Sequence, residues 1–157
     1  KRYDGPAFKK GKAPLGYGGV AGLGKLTNLL GKRESTPPKD LRYTAYLRTS
    51  FTPPIDVSAI GIEGIIDDGA IIYLNGKESG RINVSEQKNP QDWMTVANNS
   101  KLNNISLDEL IQRIEIHDLS LPADQPVELS VSLHNALGTS TDLGLDLRIF
   151  SLNSAAN

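Results

Sequence analysis

Apolar and polar residues alternate along much of the chain after residue 41, with the period of two that a half-buried β-strand produces. The alternation is clearest in residues 43–51, 127–133 and 143–149, and a further apolar run lies in residues 57–66. Glycine, proline and other turn-forming residues separate these segments at intervals of about ten residues, which is typical of a β-sandwich. We therefore predict an all-β fold of about six or seven antiparallel strands.

A β-hairpin is predicted within residues 67–81. Its two strands flank Asn75-Gly76, a pair that accepts the positive φ angles of a type I′ turn. Asp67-Asp68-Gly69 forms a polar corner immediately before the first strand. Because neighbours in an extended segment alternate in direction, we expect the two aspartates to point to opposite sides.

Two roles are open for these aspartates. One carboxylate could accept backbone N–H bonds and order the corner. Alternatively, Asp67 and Asp68 could join Asp142 or Asp146 to bind Ca²⁺, a cation that prefers several oxygen ligands.

Two parts of the chain lack the strand pattern. Residues 1–40 hold eight of the fifteen glycines, and we predict a long irregular segment that packs on a sandwich of residues 41–157 in one domain. Ser106 and Glu109 have the spacing of a helix capping box. The apolar residues with helical spacing at this point are Leu107, Leu110, Ile111 and Ile114. We predict one short helix here, followed by extended chain.

Composition excludes several kinds of site. The chain has no cysteine, so it forms no disulfide, thiolate zinc site or cysteine nucleophile, and no apolar run is long enough for membrane insertion.

Residues 1–50 hold eleven Lys and Arg against three Asp and Glu, whereas residues 51–157 hold six against fifteen. The basic segment either binds an anionic partner, lies across the acidic remainder of its own fold, or contacts the acidic body of a second copy.

Two glycine-rich patterns resemble nucleotide-binding loops. Gly16, Gly18 and Ala21 fit G-x-G-x-x-A, and residues 19–25 fit G-x-x-x-x-G-K. Neither pattern follows an apolar strand, and Leu26 stands where the second needs a Mg²⁺-binding Ser or Thr. We predict neither a phosphate site nor a nucleic-acid partner.

No catalytic constellation stands out. His117 and His134 lack a metal-ligand spacing, no nucleophile elbow is present, and no pair of carboxylates is singled out for glycosidic cleavage. We therefore predict that the chain is not an enzyme.

A carbohydrate site needs an exposed aromatic ring beside polar groups, because sugar faces are apolar and sugar hydroxyls need directed hydrogen bonds. Trp93, in a polar loop, is the strongest candidate, although it could instead fold into the core. Its predicted polar partners are Gln91, Asp92, Asn98 and Asn99. We predict that Tyr17 and Tyr73 pack in the core.

Four segments, at residues 13–18, 44–51, 67–81 and 131–147, occur in an order that resembles galactose-binding-like jelly-roll domains. Such domains are accessory modules of secreted bacterial proteins and glycosidases. The resemblance implies a jelly-roll sandwich, an extracellular or cell-surface location, binding of carbohydrate or another surface polymer, and a structural Ca²⁺.

The chain departs from this family at its beginning, where members have an additional strand before the segment at residue 13. An incomplete sheet edge invites strand addition from another chain. The alternative hypothesis is therefore a structural subunit of a surface filament or layer, a homo-oligomer completed by strand exchange between copies.

Overall fold

The computed structural model describes residues 9–27, 43–89, 95–98 and 110–152. These residues form eight β-strands. In chain order they are β1 (Leu15–Tyr17), β2 (Thr44–Phe51), β3 (Ile60–Asp67), β4 (Gly69–Leu74), β5 (Lys77–Ile82), β6 (Ile111–Ile116), β7 (Val127–His134) and β8 (Leu143–Ser151). Within the described ranges, no helix is both long and apolar enough to cross a membrane.

The strands form two four-stranded antiparallel sheets, ordered β1-β8-β3-β6 and β2-β7-β4-β5. This interleaved order is that of a jelly roll, in which eight strands form two Greek keys. The prediction of an all-β antiparallel sandwich is confirmed.

The core lies between the sheets because the strands alternate as their sequences predict. Ile62, Ile66 and Ile72 are fully buried, and Val127 and Leu133 are almost fully buried. Burying an aliphatic side chain of this size contributes about 2 kcal/mol.

The hairpin at Asn75-Gly76 is confirmed. Asn75 and Gly76 have φ angles of 49° and 78°, as a type I′ turn requires. The Asn75 backbone N–H donates to the carbonyl of Glu128, and its side-chain oxygen accepts from the Glu128 N–H, both at 2.9 Å. These bonds fix the turn to β7.

Residues 1–40 were predicted to be irregular, and this prediction is wrong at β1. β1 pairs with β8 through Leu15↔Leu145, Gly16↔Gly144 and Tyr17↔Leu143. Glycine is needed at Gly16 because a Cβ there would overlap the Leu143 carbonyl. Beyond β1, Val20 and Leu23 pack against Ile65 on the outer side of the first sheet. Two glycines of the nucleotide-like patterns, Gly16 and Gly18, therefore serve close packing against the chain around Asp142 and Leu143.

The prediction of a short helix is wrong for Ile111 and Ile114. These residues lie in β6 and pair with Ile65 and Ile62 of β3. Ile114 packs against the core while Ile111 is 48% exposed. Residues 111–116 therefore follow a period of two, because pairing with a buried strand outweighs local helical spacing. The predicted capping box at Ser106 and Glu109 lies outside the described residues.

Candidate functional site

The outer face of the sheet β2-β7-β4-β5 presents an aromatic and polar surface. Ala45 and Leu47 of β2 contribute to the core, so the intervening Tyr46 points outward. Tyr46 lies opposite Ser132, and both Arg48 of β2 and Tyr73 of β4 lie opposite Ser130. We name Tyr46, Arg48, Tyr73, Ser130 and Ser132 the tyrosine face.

The two tyrosines differ in exposure. Tyr46 is 51% exposed, whereas Tyr73 is half-buried. On the intervening β7, Ser130 is half-buried and Ser132 is only 2% exposed, so Ser130 is the serine that reaches the surface between the two tyrosines. Such a surface offers both ring contacts and hydrogen bonds to a ligand.

A hydrogen-bond chain fixes Tyr73 from behind. The Tyr73 side chain bonds Ser132, and burial raises the pKa of Tyr73 above its ordinary value, so the phenol stays protonated. Ser132 Oγ lies 2.8 Å from His134 Nε2, and His134 Nδ1 lies 2.8 Å from the Thr95 carbonyl oxygen. Since a carbonyl only accepts, Nδ1 donates to it, Nε2 accepts from Ser132, and Ser132 accepts from Tyr73.

His134 holds this arrangement at neutral pH. The residue is fully buried, and burial lowers its pKa below the ordinary value. The ring is therefore neutral, with one donor and one acceptor nitrogen, as the chain from Tyr73 to Thr95 requires. His134 therefore acts as a buried hydrogen-bonding residue that joins Ser132 to the Thr95 backbone.

Residues 83–89 and 95–98 cover one end of the same face. The Ala97 N–H donates to the Asn135 carbonyl at 2.9 Å, and Arg81 Nη1 donates to the carbonyls of Ser85 and Lys88. Arg81 also forms a two-pronged ion pair with Glu78, at 2.6 and 3.1 Å. These bonds anchor the covering residues to the sheet, and the Arg81 charge is paired with Glu78 beside Tyr73.

Of the carbohydrate-binding residues predicted from the sequence, Trp93, Gln91, Asp92 and Asn99 lie outside the described residues. Asn98 is exposed, and its side-chain oxygen accepts the Ser85 N–H at 3.2 Å. Asn98 therefore joins residues 95–98 to residues 83–89, and its role in ligand binding stays a prediction.

A second polar cluster lies where β3 meets β4. Asp67 and Asp68 are only 5% and 4% exposed, and Asp142 approaches them from the chain before β8. We name Asp67, Asp68 and Asp142 the acidic corner. The peptide bond between Asp67 and Asp68 is cis.

The expectation that these neighbouring aspartates point apart is wrong, because their carboxyl groups share a hydrogen bond. Asp68 Oδ2 accepts the Ala136 N–H at 2.7 Å, which agrees with the structural role predicted for one aspartate. Asp67 Oδ2 is buried and has no hydrogen-bond partner among the described residues. An unsatisfied buried oxygen of this kind is rare and calls for an explanation.

The electrostatics of the acidic corner favour a neutral Asp67. Burial, followed by the charges of Asp68 and Asp142, raises the pKa of Asp67 to about 8. Burial also raises the pKa of Asp68, although the N–H of Ala136 opposes this shift. Without a bound cation, the pair therefore retains a proton at neutral pH.

In the part of the chain that the structure describes, no three His, Cys, Asp or Glu side chains converge closely enough to hold a metal ion. A cation at the acidic corner would bind Asp67 and Asp68 and take its other oxygens from backbone or water. The unpartnered Asp67 Oδ2 fits such a ligand. Asp142, whose carboxylate accepts from Ser140 Oγ at 2.9 Å, would contribute mainly charge.

The acidic corner and the tyrosine face share the end of β7. The Asp68 N–H donates to the His134 carbonyl at 3.3 Å, and Asn83 Nδ2 donates to the Asp68 carbonyl at 2.9 Å. The adjacent Asn135 donates through Nδ2 to the Tyr17 hydroxyl at 3.0 Å. Residues 134–136 therefore connect both polar clusters.

Sequence reasoning missed the tyrosine face. Tyr17 is buried in the core as predicted, but the same prediction for Tyr73 is wrong, because Tyr73 lies on the outer face. The signal for Tyr46 was its position among the polar residues Thr44, Arg48 and Ser50 in the alternation of β2. No comparable signal marked Tyr73, since β4 is apolar on both faces.

Comparisons with known proteins add little to this description. No protein-family model and no curated protein matches the chain. A similar solved structure is a selenomethionine-labelled β-glucosidase from Kluyveromyces marxianus, with 14% sequence identity and a TM-score of 0.39. The similarity covers 71% of this chain and 11% of the β-glucosidase chain.

Proposed function

We propose that this chain is a non-catalytic module that binds carbohydrate or another surface polymer, outside the cell or at its surface. The observation that carries the proposal is the tyrosine face, on which Tyr46 is half-exposed beside a Tyr73 held by buried hydrogen bonds. The sequence resemblance to galactose-binding-like accessory domains favours the same function.

The physical basis is the match between a flat aromatic surface and a sugar ring. Tyrosine offers an apolar ring with a polar tip, and the serines of β7 lie beside the rings. Because Tyr73 is already fixed through Ser132 and His134, binding costs little further side-chain order there. Rigid surfaces of this kind bind without large conformational change.

Affinity electrophoresis through gels that contain soluble neutral polysaccharides tests the proposal. We expect at least one polysaccharide to retard the wild-type chain, and Tyr46→Ala to abolish the retardation. Ile55→Ala is the matched control, because Ile55 is 54% exposed but lies outside the tyrosine face. Retardation that survives Tyr46→Ala, or none with any polysaccharide, would contradict the proposal.

We further propose that the acidic corner holds a structural Ca²⁺ through Asp67 and Asp68. The supporting observation is the buried Asp67 Oδ2, which has no hydrogen-bond partner among the described residues. Since a ligand that binds only the folded state stabilises it, Ca²⁺ should raise the melting temperature above that in EDTA. Mg²⁺ at the same concentration is the control, and equal melting temperatures in Ca²⁺ and EDTA would refute the site.

The alternative function, a surface filament or layer subunit, is favoured by the edge of the first sheet. β1 pairs with β8 only at Leu143–Leu145, and among the described residues the rest of β8 pairs with β3 alone. Such an edge can accept a strand from another copy. Size-exclusion chromatography with light scattering should then show concentration-dependent oligomers, and a monomer throughout would exclude this alternative.

A further inference from the structure

The edge of the first sheet is covered along only part of β8. β1 pairs with β8 at residues 143–145, whereas within the described ranges residues 146–150 pair with β3 alone. We name residues 146–150 the open edge. A strand edge of this kind presents backbone N–H and C=O groups to which another strand can bind.

Burial of the core-facing residues of β8 falls where β1 ends. Leu143 and Leu145, beside β1, are 1% and 6% exposed. Leu147 and Ile149 face the same core but are only partly buried. Because all four side chains lie on one face of β8, the difference follows from the coverage by β1. In the part of the chain that the structure describes, the open edge therefore lacks a strand with apolar residues on its inner face.

β8 itself has the pattern of residues that such a strand needs. Its inner face at the open edge consists of Leu147 and Ile149. Its outer face consists of Asp146, Arg148 and Phe150. Directly opposite residues of an antiparallel pair lie on the same face of the sheet, so β8 of a second copy can place its apolar residues inward beside those of the first.

The register of such a pair is restricted. A shift of one residue would turn the apolar face of the second copy outward. A two-fold axis through Leu147 would place Ile149 of one copy beside Leu145 of the other, where Leu15 already pairs. An axis through Arg148 would place two like charges directly opposite each other, which is destabilising. An axis through Ile149 avoids each of these conflicts.

An axis through Ile149 also joins complementary groups on the outer face. Arg148 then lies opposite Phe150 of the second copy, once on each side of the axis. Within one chain, the Arg148 guanidinium already lies 5.7 Å from the centre of the Phe150 ring, and the Arg148 side chain is 75% exposed. Because cations are attracted to the faces of aromatic rings, the same pairing is favourable between copies.

We infer that two copies of this chain pair through their β8 strands about a two-fold axis at Ile149. The inference rests on the same sheet edge as the alternative function and is independent of carbohydrate binding at the tyrosine face. Because both copies use the same surface, the contact closes into a dimer and does not propagate into a filament. A contact through one pair of strands is small, so the dimer forms in a concentration-dependent way.

The experiment is disulfide cross-linking in air, for which a chain without cysteine is well suited. An equal mixture of Arg148→Cys and Phe150→Cys should give at least about fivefold more cross-linked dimer than either variant alone, because only the mixed pair is directly opposite. Glu115→Cys is the matched control, since Glu115 is exposed on β6 at the other edge of the same sheet. Light scattering should show that the wild type passes from monomer to dimer, and no further, as its concentration rises.

Three outcomes would overturn the inference, provided that the variants keep the far-ultraviolet circular dichroism of the wild type. A monomer at every concentration would mean that the edge is covered within one chain. Oligomers larger than a dimer, without enrichment of the mixed cross-link, would leave the filament alternative standing while this inference fails. Equal cross-linking of Glu115→Cys would place the contact elsewhere. The polysaccharide gels test carbohydrate binding separately in every case.

Discussion

Replacing Asp67 with asparagine should stabilise the protein at neutral pH when no divalent cation is present. Asp67 is 5% exposed and lies against Asp68, with Asp142 close enough to repel a second charge. Asparagine keeps the size and a hydrogen-bond donor for Asp68 but cannot ionise. The substitution therefore removes the cost of keeping a proton on a buried carboxyl.

The magnitude follows from the pKa of Asp67, which rises from 3.8 to about 8 on folding. A carboxyl with a raised folded pKa contributes its full stability below pH 3.8 and loses it as the pH rises from 3.8 to about 8. At 1.36 kcal/mol per pH unit, this loss is about 4 kcal/mol at pH 7. Solvent screening and local relaxation around Asp67 make the true loss smaller than this figure. We therefore expect Asp67→Asn to raise the free energy of unfolding by about 2 kcal/mol, or the melting temperature by about 4–8 °C.

The assay is thermal and urea unfolding in EDTA between pH 5 and 9, for the wild type, Asp67→Asn and Asp146→Asn. Asp146 is an exposed aspartate on the same sheet, so its replacement is the matched control. The advantage of Asp67→Asn should grow from pH 5 to 8 and then level off. A less stable Asp67→Asn variant, or an advantage independent of pH, would refute the electrostatic reasoning.

Three further predictions concern other parts of the fold. Gly16→Ala should lower the free energy of urea unfolding by at least about 2 kcal/mol, because its Cβ would meet the β8 backbone and its φ is 150°. Gly19→Ala is the control, and it should change that free energy by less than about 0.5 kcal/mol because a Cβ there meets open space. Burial lowers the pKa of His134, so the stability that its neutral ring contributes is present above about pH 6.5 and is lost as the pH falls below that value. The stability advantage of wild type over His134→Asn should therefore shrink from pH 7 to 5 in urea unfolding. Tyr73→Phe should lower the free energy of unfolding by about 1 kcal/mol, because it removes the hydrogen bond to Ser132. An unchanged free energy of unfolding would show that this bond does not fix the ring.

The strands and the hairpin followed from local physics and were predictable. β2, β7 and β8 alternate cleanly, and Asn75-Gly76 fixes the turn and the pairing next to it, beyond which a bulge between Ile72 and Tyr73 shifts the register. β1 was missed because three residues between glycines carry no period, and its strand conformation depends on pairing with β8. Ile111 and Ile114 were misassigned because a short apolar run fits a helix and a strand equally until its partner is known.

The candidate site was predictable only in part, because it depends on which strands become neighbours. The sequence singled out Asp67, Asp68 and Asp142, and the fold does bring their charges together. The hydrogen bond between Asp67 and Asp68 was unexpected, since simple alternation places their side chains apart. Tyr46 and Tyr73 are separated along the chain, and only the order β2-β7-β4 places them on either side of the same serines.

The central proposal is that the tyrosine face, rather than Trp93, is the principal ligand surface. The most direct measurement is a pull-down on the retarding polysaccharide in EDTA, comparing wild type, Tyr46→Ala with Tyr73→Ala combined, and Trp93→Ala. We predict that the double tyrosine variant stays in solution while Trp93→Ala is retained, with all three proteins showing the same far-ultraviolet circular dichroism. Full retention of the folded double tyrosine variant would contradict the claim.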